Sequence, residues 1–280
     1  MDDKFDLFHQ ILYKNLGVEL VPINYWDGKE DKPISKTYNM TFVTTVMNRK
    51  ADFMQTFRKN ISDNFGYEGD QEWLILDYNS QDGFGDYVKE DLMPLIEKGL
   101  VTYYRTEEPK HYRMAHSRNI CFRLARNEIV NSVDADNFVN IGFAHRINIL
   151  ANQEPKMAFF AKGRRMLRGR LGFYKDEFVN LLGGYDEDMT GYGHEDHDLM
   201  YRAFGLGMKM MWYGGKYWGT TGSRKHQTAN YLDKDWKYTE HFNKVMCVFN
   251  LWQKRFKANQ KRSWGCATVT KNFKEVIHLT

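Results

Sequence analysis

The amino-acid sequence predicts an α/β fold in which a mostly parallel sheet is flanked by helices, and three observations support this. Short apolar segments alternate with helical segments from residue 41 to residue 133. Such alternation is typical of a parallel sheet covered by helices. Polar clusters stand at residues 45–49, 77–82 and 134–136, where three of the predicted strands end. Ligands bind beyond the carboxyl ends of such strands, so we expect these clusters to converge on one rim.

The individual elements follow from hydrophobic periodicity, since strands repeat every two residues and helices every 3.6. Strands are predicted at 41–47, 72–77, 100–104, 129–133, 156–161, 171–174 and 208–213. Helices are predicted at 3–16, 52–64, 86–98, 113–127, 140–152, 175–182, 195–204 and 233–257. We interpret 214–230 as a long glycine-rich loop and 258–280 as a polar tail. The domain boundaries that follow are 1–40 for an N-terminal helix and lead-in, 41–232 for the main domain and 233–280 for a C-terminal helical extension.

Composition places the chain among ordinary globular proteins, because 42% of its 280 residues are hydrophobic and 27% are charged. Aromatic residues reach 15%, which fits either an aromatic core or flat surfaces that stack on sugars and nucleobases. The formal net charge of +4 suits an anionic small ligand and does not by itself indicate nucleic acid. The basic run at 162–170 is either a solvated loop or a binding site for phosphate or an acidic acceptor.

The cellular compartment is predicted from three absences in the sequence. None of the three cysteines forms a Cys-x-x-Cys pair, which argues against a thiolate zinc site or a redox site. No apolar signal segment follows Met1, and no apolar stretch approaches bilayer length. We therefore expect a cytoplasmic protein without a transmembrane segment.

Asp134 and Asp136 are the first candidate site. Two residues apart at a strand end, both side chains can reach one cation, and carboxylate oxygens suit Mg²⁺ or Mn²⁺ holding a diphosphate. The alternative is a solvated strand end or the N-cap of the following helix. His226, in the loop after the last predicted strand, is either exposed or a third metal ligand. Arg49 and Arg118 are either surface arginines or phosphate ligands.

Glu195, Asp196 and Asp198 are the second candidate site, at the start of a predicted helix. Acids in a first turn also satisfy free N–H groups and the helix dipole, so the cluster alone favours neither interpretation. The flanking Gly191 and Gly193 let a ligand approach the backbone and favour a functional site. The presence of the other acidic cluster, Asp134 and Asp136, favours the same interpretation.

Taken together, these segments resemble a known enzyme family. Residues 42–49, 76–82, 117–119 and 133–136 resemble the GT-A fold of family-2-like nucleotide-sugar glycosyltransferases. The segment 183–198 is similar to the acceptor-side motif of the β-1,4-galactosyltransferases. The resemblance covers about residues 41–226, so the predicted main domain would be the catalytic domain.

The resemblance implies a role for each candidate residue. Asp196 would be the catalytic base. The acceptor would be a glycan or glycoconjugate and would contact Glu195, Tyr192, Gly193 and Asp198. The donor would be a nucleoside-diphosphate sugar, UDP-linked, in contact with Thr45, Asn48, Arg49, Asp77, Arg118 and Asp134. Mn²⁺ or Mg²⁺ would be held by Asp134, Asp136 and His226.

The sequence departs from the family pattern at four positions. Tyr78 replaces the second acid of a paired-aspartate strand end, and Tyr192 stands where the galactosyltransferases carry tryptophan. His194 replaces a glycine and His197 replaces an acid. These departures bear on the identity of the acceptor more than on the type of reaction, so the sequence does not predict which acceptor is used.

The residues favour an inverting transfer, and three alternatives are kept. The first is a retaining transfer of the polypeptide N-acetylgalactosaminyltransferase kind, and the second is a non-catalytic module that binds sugar or nucleotide. The third is nucleic-acid binding through the basic run 162–170 and the basic C-terminal region, which we do not expect because the overall charge is only weakly basic.

Overall fold

The structure is a computed structural model that describes residues 33–153, 156–161, 171–221 and 228–280. The predicted helix at 3–16, the basic run at 162–170 and His226 lie outside the described residues.

The described strands and helices follow the predicted order closely. The strands are β1 (Met40–Val46), β2 (Gln71–Tyr78), β3 (Val101–Thr106), β4 (Ile129–Ser132), β5 (Asn137–Phe138), β6 (Met157–Ala161), β7 (Gly172–Tyr174), β8 (Lys209–Tyr213), β9 (Gly219–Thr220), β10 (Ala267–Lys271) and β11 (Glu275–Leu279). The helices are α1 (Lys50–Asn64), α2 (84–97), α3 (Met114–Leu124), α4 (Phe143–Ala151), α5 (Glu195–Gly205) and α6 (Trp236–Trp252). Helix α2 consists of Phe84–Tyr87, the π-helical turn Val88–Leu92 and Met93–Glu97 in succession. A separate π-helix spans Glu177–Leu182.

The central sheet has the order β11-β10-β3-β2-β1-β4-β7-β6-β8 within the described residues. Its centre is parallel, because β1 pairs with β2 and β4 in parallel and β2 pairs with β3 in the same sense. The strand β7 runs antiparallel to both of its neighbours, β4 and β6. This arrangement confirms the predicted α/β fold with a mostly parallel central sheet.

Two hydrophobic clusters, one on each face of the sheet, form the core. On one face Phe42 stacks on Trp73 at 4.4 Å between ring centroids, and Phe57 of α1 meets Trp73 at 6.0 Å. On the other face Phe122 of α3 stacks on Phe178 at 4.0 Å. Because both faces are covered, every residue of β1 and β2 is buried, which explains their apolar sequences.

The C-terminal residues form a β-hairpin, so the prediction of a polar tail at 258–280 is wrong. The strand β10 pairs antiparallel with β3 and extends the sheet, and β11 pairs with β10. Ala267 and Val269 are buried while the alternate side chains are partly exposed, which is the period-2 pattern of a half-buried strand. The turn uses Asn272 and Phe273 at φ 48° and 62°, without the glycine that usually marks such a turn.

The described residues of the predicted loop, 214–221 and 228–230, include two short elements. A 3-10 turn at Gly215–Tyr217 leads into β9, which pairs antiparallel with β5 directly after the Asp134–Asp136 turn. Residues 219–220 therefore lie against the strand end that carries the first candidate site. None of the described helices is both long enough and apolar enough to cross a lipid bilayer.

We expect Val269→Ala to destabilise the protein by about 2 kcal/mol, because Val269 is fully buried in β10 and its truncation leaves a cavity. Val276→Ala in β11 is the matched control, since Val276 is 57% exposed and should cost under about 0.5 kcal/mol. Urea unfolding measures both changes. Equal losses would show that the hairpin is not packed as described.

Candidate active site at the carboxyl edge of the sheet

The three predicted polar clusters converge on one rim, as expected. The loop after β1 bonds the loop after β2, since the Asn48 backbone N–H donates to Ser80 Oγ at 3.2 Å and Asn48 Oδ1 accepts from the Gln81 N–H at 2.7 Å. It also reaches the turn after β4, where Arg49 Nη2 lies 3.5 Å from Asp136 Oδ2. The rim is therefore one connected surface built from strand ends.

A buried arginine joins the two candidate sites. Arg118, on α3, is 2% exposed. Its Nη1 donates to Asp196 Oδ1 at 2.9 Å and to Glu195 Oε1 at 3.1 Å, both at the start of α5. Its Nη2 donates to Asp134 Oδ1 at 3.0 Å, at the end of β4. One guanidinium thus bonds Asp134, an acid predicted to bind a metal, and also Glu195 and Asp196, the acids predicted to act on the acceptor side.

The electrostatics of this cluster favour a fixed cation among carboxylates. Burial alone would lower the pKa of Arg118, but Asp196 and Asp134 outweigh it and the pKa is raised well above its ordinary value. Burial raises the pKa of Glu195 against the opposing influence of Arg118. The guanidinium therefore stays charged, while Glu195 holds a proton more readily than an exposed glutamate does.

Tyr185 completes the surroundings of Asp196. Its hydroxyl lies 3.2 Å from Asp196 Oδ1, and the Arg118 guanidinium lies over its ring at 5.5 Å from the centroid. Asn119 holds the backbone of Tyr185, accepting from its N–H at 2.8 Å and donating to its carbonyl at 3.0 Å. Adjacent residues of α3 therefore position both Asp196 and the tyrosine beside it.

Glycines let the segment before α5 pass close to its neighbours. Gly184 has φ 75°, and a Cβ there would stand 2.6 Å from Asn119 Oδ1. Gly191 has φ 68°, and a Cβ there would stand 2.4 Å from Thr239 Cγ2 of α6. Side chains at these positions would push the segment away from α3 and α6, and Asp196 would lose its position.

Tyr192 and Gly193 are held by the inner side of α6. Asn243 Nδ2 donates to the carbonyl of Gly193 at 2.8 Å, and Thr239 Oγ1 donates to the carbonyl of Tyr192 at 3.0 Å. The ring of Tyr192 meets Trp236 edge-on at 6.4 Å. Both residues lie beside Glu195 and Asp196, where the sequence predicted an acceptor site.

Asp134 and Asp136 fit a divalent cation by the chemistry of their donors. Their side chains are 31% and 18% exposed, so hard carboxylate oxygens reach the rim from one turn. The turn is fixed by Thr221, whose N–H donates to the Asp136 carbonyl at 2.9 Å. Within the described residues no group of three or more His, Cys, Asp or Glu is arranged to hold a metal ion. A third ligand would come from a part of the chain such as His226.

Arg49 is the arginine that reaches the rim beside this turn. Its side chain is 20% exposed and bonds Asp52 Oδ2 at 2.6 Å through Nε. Burial would lower its pKa, but Asp52 and the acids of the turn raise it. Arg118, by contrast, is buried and bonded to three carboxylates. Of the two arginines predicted to bind the donor, Arg49 is the one that is placed to meet a phosphate, whereas Arg118 organises the acids.

Asp77 is fully buried, so it does not present its carboxylate at the rim. Its Oδ1 accepts from the Ser80 N–H at 2.8 Å, and its Oδ2 accepts from the Tyr103 hydroxyl at 2.8 Å and from Arg105 Nη1 at 2.6 Å. The donor contact predicted for Asp77 would require these bonds to rearrange. Arg105, 25% exposed, is the member of this network that reaches solvent.

Thr45 lies near the rim but is already bonded to a side chain. Its hydroxyl is 2.5 Å from the hydroxyl of Tyr112. Tyr112 in turn packs edge-on against Tyr78 at 5.7 Å and Tyr231 at 5.4 Å. The core therefore accounts for part of the high aromatic content, since Tyr78 and Tyr231 are buried. Tyr112 lines the rim.

Asp198 is fully buried and does not face the cleft, which corrects the predicted acceptor contact. Its Oδ2 accepts from Arg202 Nε at 2.7 Å, one turn further along α5. Arg202 then donates to the carbonyls of Leu182 and Gly184 at 2.8 and 2.9 Å. The Asp198–Arg202 pair therefore connects α5 to Leu182 and Gly184, at the beginning of the glycine-rich segment. Asp198 stabilises the site without facing it.

His194 and His197 stack on each other beside the acids, with ring centroids 4.8 Å apart. Burial lowers the pKa of His194 to about 3 and that of His197 to about 4. His194 has φ 71°, in the left-handed region that usually favours glycine. Both imidazoles are therefore neutral at pH 7.

Three residues of the site were missed by the sequence interpretation. Arg105 directly follows the strand predicted at 100–104, so the strand-end rule, applied to this strand as well, indicates it. Asp52 lies in the first turn of α1, where an acid is expected for the helix itself. Tyr185 belongs to the glycine-rich segment and carries no local signal of a role. Its contact with Asp196 depends on the α3 register, which local sequence does not show.

Solved glycosyltransferases share this fold. PcManGT, a mannosyltransferase from Pyrobaculum calidifontis in complex with GDP-Man and Mn²⁺, has a TM-score of 0.58 at 18% identity, covering 80% of this chain and 72% of its own. S. aureus TarS 1-349 with UDP-GlcNAc has a TM-score of 0.56 at 14% identity, covering 74% and 66%. GalNAc-T7 with UDP, GalNAc and Mn²⁺ has a TM-score of 0.53 at 15% identity, covering 64% and 43%.

These similarities show that the chain has the GT-A glycosyltransferase fold, which confirms the predicted architecture. The chain spans less than half the length of the GalNAc-T7 chain. No protein-family model matches the sequence, and no curated protein matches it. The particular resemblance to β-1,4-galactosyltransferases stays a prediction.

We expect Arg118→Met to destabilise the protein by about 3–5 kcal/mol, because it leaves three carboxylates close together without their cation. Arg126→Met is the matched control, since the Arg126–Asp70 pair is exposed and worth less than about 1 kcal/mol. Urea unfolding at pH 7 compares them. A loss as small as that of the control would show that Arg118 does not hold the cluster together.

We expect stability to fall as the pH is lowered from about 6.5 towards 4. In this range the unfolded chain protonates His194 and His197 near their ordinary pKa of about 6.5, while the folded chain keeps them neutral until their lowered pKa values are reached. His197→Gln should flatten this dependence. Urea midpoints at pH 7, 6 and 5 test it, and an unchanged slope in the variant would contradict the assignment.

Proposed function

We propose that the chain is a metal-dependent glycosyltransferase that moves a sugar from a nucleoside-diphosphate donor, UDP-linked, to an acceptor hydroxyl with inversion. The observation that carries the proposal is the Arg118 contact set, which places Asp134 and Asp196 on two sides of one guanidinium. In this proposal Asp134 is the acid on the donor side and Asp196 the acid on the acceptor side, and Arg118 bonds both at the rim. The GT-A fold supports the same conclusion.

The donor side would use Asp136 and Asp134 to hold Mn²⁺ or Mg²⁺, with His226 as the third protein ligand. When bound, the cation would neutralise the charge of the departing diphosphate as a Lewis acid. Arg49 lies 3.5 Å from Asp136 and adds a second positive charge at the place where the phosphates would lie. Thr45, near the end of β1, and Asn48, in the loop after it, would contact the nucleoside.

The acceptor side would use Asp196 as the general base. Its carboxylate is oriented through Oδ1 by Arg118 and Tyr185. Asp196 would take the proton of the acceptor hydroxyl as its oxygen attacks the anomeric carbon, and the nucleoside diphosphate would leave from the opposite face. A single displacement of this kind inverts the anomeric configuration. Glu195, Tyr192 and Gly193 would bind a glycan or glycoconjugate acceptor.

A panel of UDP- and GDP-sugars tests the donor assignment. We expect one donor, with Mn²⁺ or Mg²⁺ present, to raise the melting temperature by roughly 5 °C at a concentration far above its Kd. Removing the metal with EDTA, or Asp136→Asn, should abolish the shift. If no nucleotide stabilises the protein under any metal condition, the proposal fails.

We expect Asp196→Asn to reduce transfer by at least about 100-fold while donor binding is kept, because the amide cannot accept the hydroxyl proton. Asp188→Asn is the matched control, since Asp188 is 60% exposed in the same segment and bonds Arg262 instead of the cluster. Diphosphate release measures the rate, and NMR of the product anomer reports its configuration. Normal turnover in Asp196→Asn would contradict the base assignment, and a retained configuration would contradict inversion.

A further inference from the structure

Helix α6 has the reverse of the usual distribution of polar and apolar side chains. Its inner side is largely polar, since Thr239, Asn243 and Asn250 are buried and hydrogen-bonded to the chain around α5. The outward-facing row is aromatic and aliphatic, with each side chain 43–62% exposed, and consists of Trp236, Tyr238, Phe242, Val245, Phe249 and Trp252.

The row, which we call the outer face of α6, is continuous along the helix. From Tyr238 to Trp252 its members follow at intervals of four, three, four and three residues, which places them on one stripe. Tyr238 and Phe242 lie 6.5 Å apart between ring centroids, and Phe249 and Trp252 lie 5.9 Å apart. A contiguous exposed patch of this kind marks an interaction surface.

Apart from Trp236, which meets Tyr192 edge-on, the rings of the row are not what attaches the helix to the fold. Asn243 bonds the carbonyls of Thr190 and Gly193 at 2.9 and 2.8 Å, and Asn250 bonds Asp186 at 3.0 Å. Cys247 and Leu251 supply the apolar part of the inner side. Aromatic side chains on the outside therefore serve a contact beyond the described fold.

The charge around the outer face identifies the chemistry of that contact. Residues 233–262 contain eight lysines and arginines against three carboxylates, and all eight cations are exposed. One of them, Arg262, is paired with Asp188 of the glycine-rich segment. Two of the cations stand directly over the row, with Lys237 Nζ 5.9 Å from the Trp236 ring and the Arg255 guanidinium 5.8 Å from the Phe249 ring. A second copy of this surface would carry the same charge and be repelled, whereas an anionic surface would be attracted.

We propose that the outer face of α6 docks on an anionic lipid bilayer, with the helix lying in the plane of the interface. Aromatic rings favour the level of the lipid headgroups, and surrounding lysines and arginines are attracted by anionic lipids. The described helices do not span a bilayer, so the contact is peripheral. The inner side of α6 holds Tyr192 and Gly193, and docking therefore brings the acceptor side of the cleft close to the membrane.

Vesicle flotation with the full chain tests the proposal. Vesicles of phosphatidylcholine alone are compared with vesicles containing phosphatidylglycerol, at low salt and at about 0.5 M NaCl, where the Debye length falls well below 10 Å. We expect binding to the anionic vesicles that weakens with salt. The triple variant Phe242→Gln/Phe249→Gln/Trp252→Gln should lower the partition coefficient at least tenfold, because it removes the apolar contact.

A pair of charge variants separates electrostatic attraction from general stickiness. Lys234→Gln/Lys237→Gln should weaken binding roughly tenfold, as expected for two cations near an anionic membrane. Lys89→Gln/Lys98→Gln, which removes two exposed lysines from α2 and the residue after it, should leave binding unchanged. Melting temperature and nucleotide binding serve as folding controls for every variant, since none of these residues belongs to the cleft.

Each other outcome would overturn the proposal. Equal binding to neutral and anionic vesicles would show that the basic side chains do not select the surface. A dimer that dissociates in the aromatic triple variant, detected by light scattering, would show that a second copy covers the face. A monomer that binds no vesicle would show that the row serves another partner or an N-terminal segment of this chain.

Discussion

The buried guanidinium of Arg118 is the constraint on which the candidate site depends. Removing a guanidinium from water is costly unless its charge is compensated and its N–H groups are bonded, and a cluster of close carboxylates is equally unstable without a cation. Arg118 meets the first requirement through three carboxylates and most of the second, because Nη1 donates to the start of α5 and Nη2 donates to Asp134 after β4. Its buried Nε has no hydrogen-bond partner among the described residues. Helix α3, the central sheet and α5 are therefore joined at one point, and that point lies at the rim.

Two further carboxylates near this point are also buried and are also compensated by an arginine. Asp198 and Arg202 form a fully buried pair behind the site. Asp77 and Arg105 form another pair at the ends of β2 and β3, in which the aspartate is buried and the arginine reaches solvent. In each case a carboxylate with no exposed surface directs an arginine towards backbone carbonyls or towards the rim. The glycine-rich segment supplies the close approaches that these pairs require, because Gly184 and Gly191 have no side chain to separate α3, α5 and α6.

Sequence patterns predicted the parts of the molecule that rest on local periodicity, which are the central strands, their covering helices and the convergence of strand ends. They failed where a partner distant in sequence decides the outcome. The hairpin β10–β11 was missed because half of its side chains are polar and its turn carries Asn272 and Phe273 instead of Asn-Gly. Asp77 was assigned to the rim because nothing local reveals Tyr103 and Arg105. The burial of Asp198 was easier to predict from the sequence, because its partner Arg202 stands four residues later on the same helix.

Asp134 and Asp196 are set apart by the width of one guanidinium, since each bonds a different terminal nitrogen of Arg118. In geometric terms Arg118 acts as a spacer, so the distance between Asp134 and Asp196 is established by folding and does not wait for a ligand. For the proposed function, changes at His194, His197 and Tyr192 would then alter what enters the proposed acceptor side without moving the acids. The spacing between Asp134 and Asp196 would stay the same whichever acceptor is bound.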